Sequence, residues 1–239
     1  MVYQWQHFIQ QLIYPPRCLL CGAPGEGDRD LCADCHQALE HNQHACRVCA
    51  LPLPTGAAAG SICGRCLRQR PVYGRCHAAL VYDALCASLI SQLKFNRRLS
   101  HARLLSQLLI AHLQAQAPAR PDLILPVPLH AKRLKERGYN QALEIARPVG
   151  RHFRLPVLPR LCLRVRTTPA QVNLDRKARR KNLHNAFKAT GAVTGKSIAL
   201  LDDVVTTGTT VAELARCLKR AGAFRVDVWA VARTPREPA

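Results

Sequence analysis

The sequence predicts an α/β fold with a mainly parallel sheet, preceded by a small cysteine-rich module. Eight of the twelve cysteines lie before about residue 70, in a stretch with many turns. From about Ala78 onward, apolar runs alternate with helical patterns, an order typical of βαβ units whose sheet is covered on both faces. We therefore expect a module over residues 1–70 and an α/β domain over residues 71–239.

At the start of the chain, the apolar side chains between Val2 and Ile13 lie close to one helical face. We expect this N-terminal helix to dock on the body of the protein, because helices that lie on membranes usually carry Lys or Arg. Contact with a membrane is the alternative.

Four CxxC pairs follow, separated by 10, 10 and 13 residues. Two residues between thiols let both sulfurs reach one tetrahedral Zn²⁺, and a second pair completes a Cys₄ site. We expect two structural zinc ions bound by sequential pairs; an interleaved pairing, an iron–sulfur cluster and disulfides are the alternatives. The predicted ligands are Cys18, Cys21, Cys32, Cys35, Cys46, Cys49, Cys63 and Cys66.

The second part reads as strands over 78–82, 123–127, 197–205 and 226–232, with helical patterns over 85–113, 141–152 and 211–221. The stretch 164–188 is basic and poor in aliphatic residues, so we expect a long mobile loop or a loop with a short helix. The cysteines that lack a partner at CxxC spacing are expected to be small core residues. They are Cys76, Cys86, Cys162 and Cys217.

An acidic pair and a hydroxyl-rich loop stand between the strand that starts at Ile198 and the helix that starts at Val211. Backbone N–H groups and the positive end of the dipole at a helix N-terminus favour a phosphate. Carboxylates at the end of the strand could accept hydrogen bonds from ribose hydroxyls or help hold Mg²⁺. The alternative is an ordinary turn with a helix-capping Thr. The predicted site residues are Asp202, Asp203, Thr206, Thr207, Gly208, Thr209 and Thr210.

The formal charge of +20 is concentrated in the second part, where 29 basic and 10 acidic residues leave an excess of +19. A field of this sign attracts polyanions, although a charge that only confers solubility is the alternative. No apolar run approaches the roughly 18 residues needed to span a bilayer. The start also lacks a signal-type apolar core, so we expect a cytoplasmic protein.

The acidic-pair loop resembles the phosphoribosyl-pyrophosphate loop of type I phosphoribosyltransferases. Cysteine knuckles before such a domain resemble the ComF family, which includes proteins called GntX. Three further stretches carry the resemblance, namely 125–129 with Arg133, 137–141, and 166–171 continuing through Arg179, Asn182 and Phe187. The resemblance implies a type I phosphoribosyltransferase-like sheet with flanking helices.

The resemblance also implies roles for the basic and polar residues of these stretches. The pyrophosphate or anion side of the pocket would be formed by Lys132, Arg133, Arg137, Asn140 and Gln141. A lid would be formed by Arg166, Thr168, Gln171, Arg179 and Asn182. Guanidinium groups suit forked contacts with phosphate.

Two features depart from the pattern of the transferases. Many of them have two adjacent glycines in the phosphate loop, whereas here Thr209 follows Gly208. No segment plainly supplies the second pocket that would hold an acceptor in line with the ribose. Binding of phosphoribosyl pyrophosphate is therefore better supported than catalysis, and the catalytic residues stay unassigned.

Three functions from different classes follow. The resemblance implies a part in natural competence, in which single-stranded DNA is handled in the cytoplasm at the inner face of the membrane. Single-stranded DNA, phosphoribosyl pyrophosphate or a related nucleotide, and competence-machinery proteins would then be the partners. The low aromatic content, 5%, argues against an extensive base-stacking platform. The alternatives are a Mg²⁺-dependent phosphoribosyltransferase with an unknown acceptor, and a nucleotide-sensing regulatory protein.

Overall fold

A parallel sheet lies at the centre of the second part in the computed structural model, which describes residues 15–96, 98–166 and 185–235. The strands are β1 (Cys76–Val81), β2 (Leu123–Pro126), β3 (Cys162–Arg164), β4 (Phe187–Ala189), β5 (Ser197–Val205) and β6 (Arg225–Arg233). Four of them form the parallel sheet in the order β1-β6-β5-β2, while β3 and β4 form a separate antiparallel pair. The predicted α/β class with a mainly parallel sheet is confirmed.

The parallel register brings the carboxyl ends of the strands to one edge of the sheet. Pro126 of β2 lies beside Leu201 of β5, and Val205 of β5 lies beside Arg233 of β6. The acidic pair and the loop after β5 therefore lie at the edge where open α/β sheets bind their ligands.

Helices cover both faces of this sheet. The helices of the described residues are α1 (Ala33–Ala38) and α2 (Gly64–Arg68) in the cysteine-rich part, followed by α3 (Ala84–Phe95), α4 (Ser100–Gln116), α5 (Ala131–Arg137), α6 (Gln141–Phe153) and α7 (Thr209–Arg220). Buried side chains of α3, α4 and α6 pack with one face of the sheet, and those of α7 pack with the other. Because both faces are covered, the strands are almost continuously apolar.

The single helical pattern predicted over 85–113 is two helices, α3 and α4. Helix α3 ends at Phe95, and the Asn96 side chain donates to the Gln92 side chain at 2.8 Å. Both helices bury leucines against the same face of the sheet, so the apolar pattern continues across the break and conceals it.

The prediction of a loop over the whole of 164–188 is wrong at its two ends. Arg164 closes β3 and lies opposite Phe187, which opens β4. These strands have three residues each and pair across a long sequence separation, so neither produces a periodic signal. Residues 167–184 lie outside the described part of the chain.

The cysteine-rich part covers the exposed edge of β1. The Asn42 N–H donates to Ala79 O at 3.0 Å, and the Val81 N–H donates to Glu40 O at 2.8 Å. An edge strand paired in this way cannot pair with another chain. The predicted N-terminal helix lies outside the described residues.

The cysteines without a partner at CxxC spacing are buried, as predicted. They are Cys76, Cys86, Cys162 and Cys217.

Candidate zinc centres and anion site

The eight paired cysteines form two separate sulfur clusters, each built from two consecutive pairs. The first joins Cys18, Cys21, Cys32 and Cys35, and the second joins Cys46, Cys49, Cys63 and Cys66. Sequential pairing is thus confirmed, and the interleaved alternative is wrong.

Sulfur separations in both clusters fit tetrahedral zinc. The Sγ atoms of Cys21 and Cys32 are 3.7 Å apart, as are those of Cys49 and Cys63. Zinc–sulfur bonds of about 2.3 Å at tetrahedral angles require about 3.8 Å between sulfurs. A disulfide would require about 2.05 Å. The cysteines therefore form Cys₄ sites and not disulfides.

In each site, backbone donors lower the pKa of one thiol against the effect of burial, that of Cys18 in the first site and that of Cys46 in the second. This favours the deprotonated form, which binds metal. The Cys63 N–H donates to Cys46 Sγ at 3.2 Å. Burial raises the pKa of the Cys46 thiol, but the N–H groups of Cys63, Cys49 and Val48 lower it, to about 7 overall. Four protein ligands leave no open position, so each centre is structural.

The two centres lie against different parts of the α/β domain. The first packs with α4, where the Arg103 side chain donates to Asp28 O at 2.6 Å. The second lies beside the loop 206–208, and its Arg65 donates to Thr207 O at 3.0 Å. Arg65 stands between two predicted zinc ligands, Cys63 and Cys66, so the second centre fixes its position.

Two arginines hold backbone carbonyl groups at the end of β5 and in the loop that follows it. Arg233 at the end of β6 is 4% exposed and donates to Val205 O at 2.8 Å. The same guanidinium contacts Thr206 O and donates to Cys49 O at 3.1 Å. With Arg65 on Thr207 O, three successive loop carbonyls are occupied by guanidinium donors.

The N–H groups of this loop lack such partners. Within the described residues, the backbone N–H groups of Thr206, Thr207, Gly208 and Thr210 have no hydrogen-bond partner. The Thr207 and Thr209 hydroxyls lie 2.8 Å apart. The loop therefore has carbonyl groups bound by arginines and N–H groups without partners. This is the polarity of an anion site at a helix N-terminus.

The conformation of the loop explains its departure from the two-glycine pattern. Gly208 has φ +76° and occupies the N-cap position of α7 with no side-chain cap bond. Thr209 is already the first helical residue, so only one left-handed position is needed. The N-cap residue is therefore Gly208 and not a threonine, although Thr207 Oγ1 accepts the Thr209 N–H at 3.4 Å.

Asp203 is engaged by protein groups on both of its oxygens. Its side chain is buried, with the Lys94 ammonium in contact with Oδ2 and the Gln141 amide donating to Oδ1 at 3.3 Å. Arg137 in turn donates to the Gln141 side chain at 2.5 Å. Asp203 therefore links α3, β5 and α6 and organises the pocket.

Asp202 has a different environment. Its Oδ1 accepts the Asp203 N–H at 3.0 Å, and its side chain keeps part of its surface open to solvent. Burial raises the pKa of Asp202 well above the ordinary value, and the Asp203 carboxylate raises it further. Burial also acts to raise the pKa of Asp203, but Lys94 chiefly, with other partners, holds it below the ordinary value. Asp202 is thus the carboxyl group of the pair left for a ligand.

The residues predicted for the anion side fall into two groups. Arg137 and Gln141 join the Asp203 network. Asn140 caps α6 through Ala142 N–H at 3.0 Å and donates to Val127 O at 3.1 Å, so it has a structural role.

Helix α5 places the other two predicted side chains after β2. Lys132 is exposed and Arg133 is half-buried. Burial lowers the pKa of the Arg164 guanidinium, and the charge of Arg133 lowers it further, whereas Asp202 acts to raise it. Of the predicted lid, Arg166 is exposed just beyond β3, while Thr168, Gln171, Arg179 and Asn182 lie outside the described residues.

Sequence reasoning missed Lys94, Arg233 and Arg65. Lys94 is a single charged residue inside the apolar pattern of α3, and Arg233 directly follows an apolar strand. Both residues could have been recognised from the sequence as charges that folding would bury and that would need partners. Arg65 had no such signal, because it contacts a loop 142 residues away in sequence.

A cleft of about 490 Å³ separates the second zinc centre from α7. Arg65 and Tyr73 line one wall, and Gly208, Glu213 and Arg216 line the other. The module and the phosphate loop thus share a boundary.

Among the described residues, no helix is both long enough and apolar enough to cross a bilayer.

Comparisons with known proteins matched one family model and several relatives of similar length. The family model of the double zinc ribbon domain matches residues 9–67. The DNA utilization protein YhgH of Escherichia coli O157:H7 is 36% identical over 228 residues, covering 93% of this chain and 99% of that protein. Competence protein F of Haemophilus influenzae is 32% identical over 225 residues, covering 91% of this chain and 96% of that protein.

Solved structures similar to this chain include the purine phosphoribosyltransferase from Pyrococcus horikoshii. It is 16% identical with a TM-score of 0.32, and the match covers 57% of this chain and 89% of that one.

Proposed function

The chain belongs to the ComF family of competence and DNA utilization proteins, and on this premise we propose that it handles single-stranded DNA in the cytoplasm, using an anion pocket of the phosphoribosyl-pyrophosphate type. Competence-machinery proteins at the inner face of the membrane would be its protein partners. The zinc centres contribute structure and not chemistry.

The polarity of the phosphate loop is the observation that carries this proposal. Its carbonyls are held by Arg65 and Arg233, and the N–H groups of Thr206, Thr207, Gly208 and Thr210 have no partner within the described residues. A bound phosphate would supply acceptors for these donors and would meet the positive end of the α7 dipole.

The acidic pair would bind the sugar side of the same ligand. Asp202 is the carboxyl group available to ribose hydroxyls, while Asp203 keeps Lys94 and Gln141 in position. Mg²⁺ bound with phosphoribosyl pyrophosphate would be held by Asp202 and the diphosphate oxygens, and would neutralise charge there. Arg133 and Arg137 would face the diphosphate, and the residues from Arg166 onward would close over it.

The basic surface supports the DNA part of the proposal. Residues 71–239 have an excess of +19, which attracts a phosphodiester backbone and makes its binding dependent on salt. The DNA part of the proposal therefore has a test of its own, beside that of the pocket.

The pocket is tested by calorimetric titration of the zinc-loaded protein with phosphoribosyl pyrophosphate and Mg²⁺. We expect binding in the wild type and at least a tenfold loss, about 1.4 kcal/mol, in Asp202→Asn. This single substitution leaves the Lys94–Asp203 contact in place. Glu40→Gln removes an exposed carboxylate elsewhere and should bind like the wild type. Equal affinity of Asp202→Asn and the wild type would refute the pocket.

The DNA part is tested by fluorescence anisotropy of labelled single-stranded DNA at several salt concentrations. We expect log affinity to fall linearly with log salt, with a slope of about −0.7 per phosphate contacted. Binding that does not change with salt, or no binding, would contradict this part of the proposal.

A further inference from the structure

An exposed phenylalanine is linked to the acidic pair through a chain of side chains. Phe95, the last residue of α3, is 71% exposed, although its neighbour Lys94 is largely buried against Asp203. Among the described phenylalanines, Phe224 has a comparable exposure of 72%, and it lies in the turn before β6, at the opposite edge of the sheet.

The ring of Phe95 is connected to the pocket through one guanidinium. Arg137 lies over the ring with its Cζ 5.7 Å from the centroid. The same Arg137 donates to Gln141, which donates to Asp203. The aromatic face and the acidic pair are therefore connected through two side chains, Arg137 and Gln141.

The chemistry of these side chains fits a nucleobase. Bases stack on aromatic faces and on guanidinium planes, and such stacking tolerates any sequence. Leu134, one helical turn before Arg137, is 42% exposed and extends the apolar surface. The cationic surroundings favour a ligand that carries phosphates beside its bases, which is the structure of single-stranded DNA.

We propose that Phe95, together with Arg137, forms a stacking site for one nucleobase of single-stranded DNA and positions that nucleotide next to the anion pocket. This inference rests on the proposed function and adds a contact with a base to the contacts with phosphates. A single site agrees with an aromatic content of 5%.

The experiment compares two labelled oligonucleotides of about 12 nucleotides, within the known range of site sizes. One is oligo-dT, and the other has the same backbone with abasic sugars. The wild-type protein should bind oligo-dT more tightly. Phe95→Ala should weaken the binding of oligo-dT roughly 5- to 100-fold, the effect of one stacked base, and should leave the binding of the abasic strand unchanged.

Phe224→Ala is the matched control and should leave both affinities unchanged, because it removes an equally exposed ring far from the pocket. Phe95→Trp retains an aromatic face and should retain the preference for oligo-dT. Its added fluorescence should be quenched by oligo-dT, unlike that of Phe224→Trp.

If Phe95→Ala weakens the binding of both oligonucleotides by the same factor, or of neither, the stacking site is overturned. DNA binding itself would remain supported. Equal quenching in the Phe95→Trp and Phe224→Trp variants would also overturn the stacking site. A wild type that binds neither strand would instead refute the DNA part of the proposed function, so the two failures are distinguishable.

Discussion

At the residue scale, Asp202 and Asp203 are neighbours with opposite electrostatic environments. The Lys94 ammonium keeps Asp203 ionised, and that fixed negative charge, after burial, raises the pKa of Asp202. An ionised carboxylate disfavours ionisation of a second carboxyl group beside it. The pair therefore keeps one carboxylate for structure and one titratable group for a ligand.

The raised pKa of Asp202 predicts that Asp202→Asn stabilises the protein at high pH. An acid whose pKa is raised on folding contributes stability below its unfolded pKa, and this stability is lost as pH rises through the folded pKa. Asparagine cannot ionise, so the variant escapes the loss. We expect a gain of about 1 kcal/mol near pH 8 and almost none near pH 4. Urea denaturation at both values measures it, and an equal gain at both would contradict the coupling.

Lys94 is predicted to be the most sensitive polar residue of the site. Lys94→Met leaves the Asp203 carboxylate buried without its cation, which should cost about 3–5 kcal/mol of unfolding free energy. The double variant Lys94→Met, Asp203→Asn should recover most of this loss, because no uncompensated charge remains. Chemical denaturation of the four proteins in the cycle tests this, and a double variant as unstable as Lys94→Met would show that Lys94 acts through packing.

At the element scale, the loop between β5 and α7 depends on one glycine. Gly208→Ala would place a Cβ 3.6 Å from the Tyr73 hydroxyl, an ordinary contact, so the cost comes from φ +76° alone and should be about 1 kcal/mol. We also expect a roughly tenfold loss in affinity for phosphoribosyl pyrophosphate, since relief of the strain shifts the loop N–H groups.

Gly195→Ala is the control for this prediction. Gly195 has φ +73° and open space around its Cβ position, and it precedes β5, at the other edge of the sheet. In thermal denaturation, Gly195→Ala should lose about as much stability as Gly208→Ala. In calorimetry, it should bind phosphoribosyl pyrophosphate with the affinity of the wild type. If both variants bind phosphoribosyl pyrophosphate with the same affinity, the conformation of Gly208 is not required for binding.

Elements were predictable where their pattern is local. Four elements bury one or two faces over nine or more residues, so their apolar side chains recur at a regular spacing that is visible in the sequence. They are β5, β6, α6 and α7. Strands β3 and β4 have three residues each and form by pairing across a long sequence separation. The short helix α5 buries no residue, so it produces no apolar periodicity. The break between α3 and α4 was hidden because both helices pack on one face.

At the scale of the whole molecule, the second zinc centre supports the phosphate loop. Arg65, between two of its cysteines, donates to Thr207 O, and the carbonyl of its Cys49 accepts from Arg233. The first centre packs with α4 and has no such contact among the described residues. We therefore expect metal bound at the second centre to affect the conformation of the loop 206–208.

This coupling predicts different effects for the two centres. Cys63→Ser should disorder the second centre and lower the affinity for phosphoribosyl pyrophosphate about tenfold, the value of the lost charged hydrogen bond. Cys21→Ser should disorder the first centre and leave this affinity nearly unchanged. Calorimetry measures affinity, and hydrogen exchange of the loop 206–210 should rise only in Cys63→Ser. Equal effects of the two variants would refute the coupling.

The sequence by itself determined the α/β class, the four CxxC pairs and the position of the acidic-pair loop, because each depends on spacing along a short stretch of chain. Only the tertiary structure decided that Lys94 neutralises Asp203, that Arg65 and Arg233 hold the loop carbonyls, and that Phe95 lies beside Arg137. These contacts join residues from different elements, and a buried charge acquires its partner only when packing brings the elements together.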